Sequence, residues 1–73
     1  MNIKEDMKWI EQSIEFDEID KIIKRLENNE TVSPAEIKEF IINLERNFHL
    51  SVEYYSIEFL DALENLKKYS NSK

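Results

Sequence analysis

Val32-Ser33-Pro34-Ala35-Glu36-Ile37 decides the fold of this 73-residue chain. Ser33 has the short hydroxyl side chain that caps a helix N-terminus, and Pro34 stands at the first helical position, where its missing N–H costs nothing. Glu36, three residues after Ser33, completes a capping box, and Val32 and Ile37 occupy the two positions of a hydrophobic staple. These features agree on a helix that begins at Pro34. Ile37, Phe40, Ile41, Leu44 and Phe48 continue it as an apolar stripe at spacings of three and four. Asn47 or His49 ends it.

Upstream, Phe16, Ile19, Ile22, Ile23 and Leu26 form a second stripe of the same period. Asp17 is placed to cap that helix. Glu18 and Asp20 suit the positive end of its dipole, and Lys24 and Arg25 the negative end. Asn28-Asn29-Glu30-Thr31 reads as the turn into the next helix. Downstream, Ser51 is the expected cap of a last helix, with Leu50 and Tyr55 as its staple. Its apolar face is Val52, Tyr55, Phe59, Ala62, Leu63 and Leu66. The stretch from Leu50 to Tyr55 would also suit a short strand by propensity, but the longer three-four pattern favours helix. Ser70 to Lys73 is a polar tail, expected to fray.

Nearer the N-terminus, Ile3, Met7, Ile10 and Ile14 make a stripe of their own. At about 100° per residue it lies roughly opposite the Phe16–Leu26 stripe. Either the chain bends near Ser13–Asp17 and both stripes enter one core, or the first stripe packs on another chain. The sequence thus predicts an all-α fold: one domain over residues 1–73, a compact bundle of three to four short helices near 3–14, 17–29, 34–48 and 52–69.

Composition narrows the function classes. A chain this short has a marginal core, and such chains are commonly reinforced by disulfides, a metal or association. Cysteine is absent and His49 is the only histidine, so disulfides are excluded and a zinc site is not expected. Glycine is absent too, which removes glycine-rich phosphate loops and dinucleotide fingerprints. No cofactor is expected. Sixteen acidic residues against ten basic ones give a net charge of −6. That disfavours direct nucleic-acid binding and favours a basic partner, unless the charge serves solubility alone. No apolar run is long enough for a signal peptide or a membrane span, so a cytoplasmic protein is expected. Abundant Ile, Lys, Asn and Glu suggest a bacterial or phage origin.

Between Asn47 and Leu66 there is no Lys or Arg, yet Glu53, Glu58, Asp61 and Glu64 occur there. On a helix these face away from the core stripe, together with Tyr54 and Ile57. An apolar anchor inside a charged rim has the make-up of a protein-binding patch; a plain solvated face is the alternative. Trp9 lies off the Ile3–Ile14 stripe, as an interface anchor or as cover for the core edge. A second acidic run, Glu11, Glu15, Asp17, Glu18 and Asp20, lacks the glycine and ligand spacing of a calcium loop. Asp61 and Glu64 could act as paired carboxylates, but no nucleophile or oxyanion hole is signalled beside them. His49, between Phe48 and Leu50, suits a helix end.

Ser56-Ile57-Glu58-Phe59-Leu60-Asp61 resembles the Ser-Gln-Glu-Leu-Asp signature of small two-helix phosphatases of sporulation response regulators, but one residue is inserted and the Gln is lost. The layout around Phe16-Asp17-Glu18-Ile19 loosely resembles nucleoid-modulating proteins of the Hha type. Their Asp-His-Arg motif is missing, with Glu45-Arg46-Asn47 in the nearest place. Neither resemblance assigns a family. The reading is a small acidic, non-enzymatic protein-binding module, of the regulator, inhibitor or immunity type, that engages a basic protein. The expected contacts are Tyr54, Ile57 and Asp61, with Glu53, Glu58 and Glu64 as rim and Trp9 as a second anchor. The alternative is an assembly protein, an obligate homodimer formed through the N-terminal helix.

Overall fold

The computed structural model describes residues 2–50 and 53–72. Among them the chain forms four helices and no strand: α1 (Ile3–Ser13), α2 (Asp17–Glu27), α3 (Pro34–Asn47) and α4 (Ile57–Ser70). The all-helical bundle is the one the apolar periods predict.

α3 starts as its sequence requires. The Glu36 N–H donates to Ser33 Oγ at 3.2 Å, and the Ser33 N–H donates to Glu36 Oε2 at 2.8 Å. Two of the otherwise orphaned donors at the helix start are thereby satisfied. Val32 and Ile37 are both buried in the core. Arg25, in the last turn of α2, holds the same corner. Its guanidinium donates to both Glu36 carboxylate oxygens, at 2.8 and 3.3 Å, and to the Thr31 carbonyl at 3.0 Å. α2 itself ends in a Schellman motif. The Glu30 N–H reaches back to the Arg25 carbonyl at 2.9 Å and the Asn29 N–H to Leu26 at 3.1 Å. Asn29 takes the left-handed conformation this needs, with φ 61°. In a chain without glycine, asparagine is the side chain best suited to it.

The bend expected near Ser13–Asp17 is present. Ile14 and Phe16 are extended, with φ −137° and −155°, and α2 sets off in a new direction. Asp17 is not the cap. Phe16 holds that position with no side-chain cap bond, and Asp17 is the first helical residue. The reason is packing: the Phe16 ring stacks on Phe40 (centroids 6.3 Å apart) and meets Phe48 edge-on (5.4 Å). Asp17, Glu18 and Asp20 still line the first turn, where carboxylates favour the exposed N–H groups.

The start of α4 differs from expectation. Ser51 and Val52 lie outside the described residues. Residues 53–55 are turn and bend, and the helix begins at Ile57. Its cap is Ser56, whose Oγ accepts from the Phe59 N–H at 3.2 Å. The helix formers Glu, Leu, Ala and Lys are concentrated after Ile57. The preceding Glu53-Tyr54-Tyr55 carries aromatic residues that gain less from helix. Tyr55 nevertheless keeps its packing role from outside the helix, stacked on Phe59 at 4.3 Å. At the other end, hydrogen bonds run past Ser70 as far as Ser72.

One core joins all four helices. It contains Met7, Ile10 and Ile14 from α1 and its cap, Ile19, Ile22 and Ile23 from α2, Ile37, Phe40, Ile41 and Leu44 from α3, and Phe59, Ala62, Leu63 and Leu66 from α4. The N-terminal stripe is therefore spent within its own chain, against α2 and α4. α2 and α3 run antiparallel, as Arg25–Glu36 and Glu18–Asn43 pair at opposite ends. The Tyr69 hydroxyl donates to the Val32 carbonyl at 2.6 Å and ties the end of α4 to the α2–α3 turn. Lys8 and Glu27 approach to 3.8 Å near that same end. α1 thus leaves the end at which α4 arrives, and the two run antiparallel along their seam.

Candidate functional site

The residues read from the sequence as a patch are all exposed, but their frame is different. Glu53 and Tyr54 belong to the turn before α4 and not to its outer face. Ile57 is the first residue of the helix, and Glu58 follows in its first turn. Asp61 and Glu64 come four and seven residues after Ile57, so these three share one exposed stripe. Glu58 stands on the neighbouring edge, one turn before Asp61.

Tyr54 and Ile57 are the most exposed large hydrophobic residues described, at 73% and 74% of full exposure. Their exposure has a local cause. The Ser56 cap turns the chain so that Phe59 enters the core, and a residue two positions before Phe59 must then point outward. The Tyr54 ring meets His49 edge-on, 6.5 Å between centroids. The turn thus presents a tyrosine leaning on a histidine beside an isoleucine, bordered along α4 by Glu58, Asp61 and Glu64. All three carboxylates are exposed. The first basic side chains on α4 are Lys67 and Lys68 in its last turn, and Lys67 pairs with Glu45 at 3.2 Å.

Trp9 is partly exposed, at 37%. It follows Asp6 by three residues on α1, and Asp6 accepts from Asn65 Nδ2 at 3.4 Å. Counting one turn along the antiparallel seam from that bond brings Trp9 near the level of Ala62, the residue after Asp61. Among the described residues the remaining exposed large hydrophobic is Ile42, on α3.

The second acidic run is divided by the fold. Glu18 accepts from Asn43 Nδ2 at 3.2 Å. Glu11, Glu15, Asp17 and Asp20 rim an open depression at the α1–α2 bend, floored by Ile14 and Phe16. Among the described residues no three His, Cys, Asp or Glu side chains gather closely enough to hold a metal ion. His49 is exposed in the loop beyond α3.

Sequence reasoning passed over Asp6. The residue is only 8% exposed, and its Oδ2 is buried without a hydrogen-bond partner among the described residues. Burial pushes its pKa up. The Asn65 hydrogen bond opposes this, Glu5 adds to it, and the positive amino terminus opposes it. The only trace in the sequence is position: Asp6 precedes Met7 at the edge of the α1 stripe, and Asn65 precedes Leu66 at the edge of the α4 stripe.

Set against protein-family models, curated proteins and solved structures, the chain matches none. No described helix is long and apolar enough to cross a membrane.

Proposed function

We propose that this chain is a non-enzymatic protein-binding module, of the regulator, inhibitor or immunity type, and that it docks a basic protein through the turn before α4 and the outer stripe of that helix. The observation that carries the reading is the placement of Tyr54 and Ile57. Two large apolar side chains, each about three-quarters exposed, lie three residues apart at the head of a run of carboxylates with no cation interleaved in the sequence. Fully burying a side chain of this kind contributes about 1.5–3 kcal/mol, and tyrosine is enriched among the residues that dominate interfaces. Asp61 and Glu64 extend the stripe, with Glu58 and Glu53 at its sides. Carboxylates placed this way steer a basic surface and raise its association rate more than its affinity. Trp9, on α1, is the second aromatic anchor.

Asp61 and Glu64 are exposed, and Glu64 does no more than rim an open depression along α4 that water enters freely, which supports binding over acid–base chemistry. The homodimer alternative rested on the Ile3–Ile14 face. With Met7 and Ile10 fully buried and α1 packed on α2 and α4, that face offers a second chain little more than Ile3, which favours the docking reading.

The test is capture from lysate of the cells that encode the chain, at low and high salt, with wild type and with Tyr54→Ala/Ile57→Ala side by side. The expected result is a basic protein retained at low salt by wild type, released at high salt, and absent with the double variant while helical circular dichroism is unchanged. Equal retention by both chains would remove the patch from the reading.

A further inference from the structure

Asp6 is not one of the docking residues; it is buried where α1 meets α4. Its side chain lies in the α1–α4 seam, with one oxygen on Asn65 and the other buried without a partner among the described residues. An ionised carboxylate is acceptor-only, whereas the primary amide of Asn65 offers a donor and an acceptor. The two groups are therefore only half matched while Asp6 is charged: Asn65 Nδ2 donates to Oδ1, and Oδ2 has nothing to receive. A protonated Asp6 carries a donor on Oδ2 and an acceptor on Oδ1, the exact complement of a primary amide. Protonation also removes a charge from a site with little access to water, which is the larger gain.

We infer that Asp6 and Asn65 form a proton-operated latch between α1 and α4, strained at neutral pH and secured when Asp6 takes up a proton. The charged groups around it do not cancel the effect. Glu5, beside it on α1, disfavours ionisation, and the amino terminus favours it. From α4 it faces the neutral Asn65, with the exposed Asp61 and Lys68 one turn to either side. On α2, Glu27 is paired with Lys8 of α1 at 3.8 Å, and both partners are about half exposed.

The sign of the linkage follows from the raised folded-state pKa. Between the ordinary aspartate value of 3.8 and the raised one, the folded chain binds more protons than the unfolded chain, so stability increases as pH falls through that window. Most carboxylates of a folded protein act in the opposite sense. The latch would hold α1, and Trp9 with it, more firmly in mild acid than at neutral pH.

Asp6→Asn is the informative variant, because two facing amides can make both bonds at any pH and the volume is unchanged. Carboxyl ¹³C shifts of the full chain, followed from about pH 8 to about pH 3, read the titration directly. Urea unfolding of wild type and Asp6→Asn over the same range reads its effect on stability. The expected results are an Asp6 midpoint above 3.8, and an unfolding midpoint higher in the variant than in wild type at neutral pH, the gap closing as Asp6 is protonated. An Asp6 midpoint at or below 3.8, or a gap that stays constant with pH, would overturn the latch.

Discussion

Ile10→Ala is the substitution on which the core assignment turns. Ile10 is fully buried, and α1 packs on both α2 and α4. Truncating a buried isoleucine to alanine costs about 2–5 kcal/mol, the loss growing with the cavity left behind. Ile10 has helices on two sides, so little collapse can fill the gap. A 73-residue chain has a total stability of about 4–11 kcal/mol at the usual per-residue average. The single change therefore removes a large fraction of the stability. At a urea slope of about 1 kcal/mol/M, the unfolding midpoint should fall by about 2 M or more. Far-ultraviolet circular dichroism in a urea series measures it, at two protein concentrations tenfold apart. If the Ile3–Ile14 stripe belongs to the chain's own core, the wild-type midpoint is the same at both. A loss below about 0.5 M, or a wild-type midpoint that rises with concentration, would return that stripe to an interface between chains.

Other consequences concern the α2–α3 corner. Asn29→Ala should destabilise by about 1–2 kcal/mol, the penalty for an ordinary residue in left-handed backbone, while Asn29→Gly should fold at least as stably as wild type; thermal melts of the two decide it. The Arg25 guanidinium, and after it the Ser33 backbone N–H, hold the Glu36 carboxyl below its usual value of 4.5. That contribution is complete above 4.5 and lost as pH falls through the lowered value. Glu36→Gln should therefore lose stability less steeply in acid than wild type, and identical acid limbs in parallel melts would contradict the linkage.

Much of this fold was legible before any coordinates. The α3 start combines cap, proline, box glutamate and staple within six residues, and each acts locally, so tertiary context had nothing to override. The bend between α1 and α2 was one of two readings the stripes left open, the other being a stripe packed on a second chain. Two stripes on opposite sides of one helix cannot reach one core unless the helix breaks. The start of α4 was not legible. Ser51 and Ser56 are both competent caps, and Tyr55 fits the apolar face whether it is inside the helix or stacked on Phe59 from before it. The packing of the loop settles the choice, and no local signal encodes that. Ile57 and Asp61 consequently fell on the expected exposed stripe, while Tyr54 reached the same surface as a turn residue. Asp6 lay further out of reach. Its burial depends on Asn65, 59 positions away, and each of the two taken alone resembles a polar residue at the rim of a helix.

The docking surface is the centre of this account, and calorimetric titration of the captured basic protein tests it most directly. Wild type, Tyr54→Ala/Ile57→Ala and Asp61→Asn/Glu64→Gln would be compared, each with its helical signal verified. Anchor residues at an interface contribute about 2 kcal/mol or more each, without strict additivity, so the apolar double variant should weaken binding by at least about thirtyfold. The carboxylate variant should lose less affinity, together with much of the salt dependence. A double variant that binds as tightly as wild type would contradict the assignment of this surface.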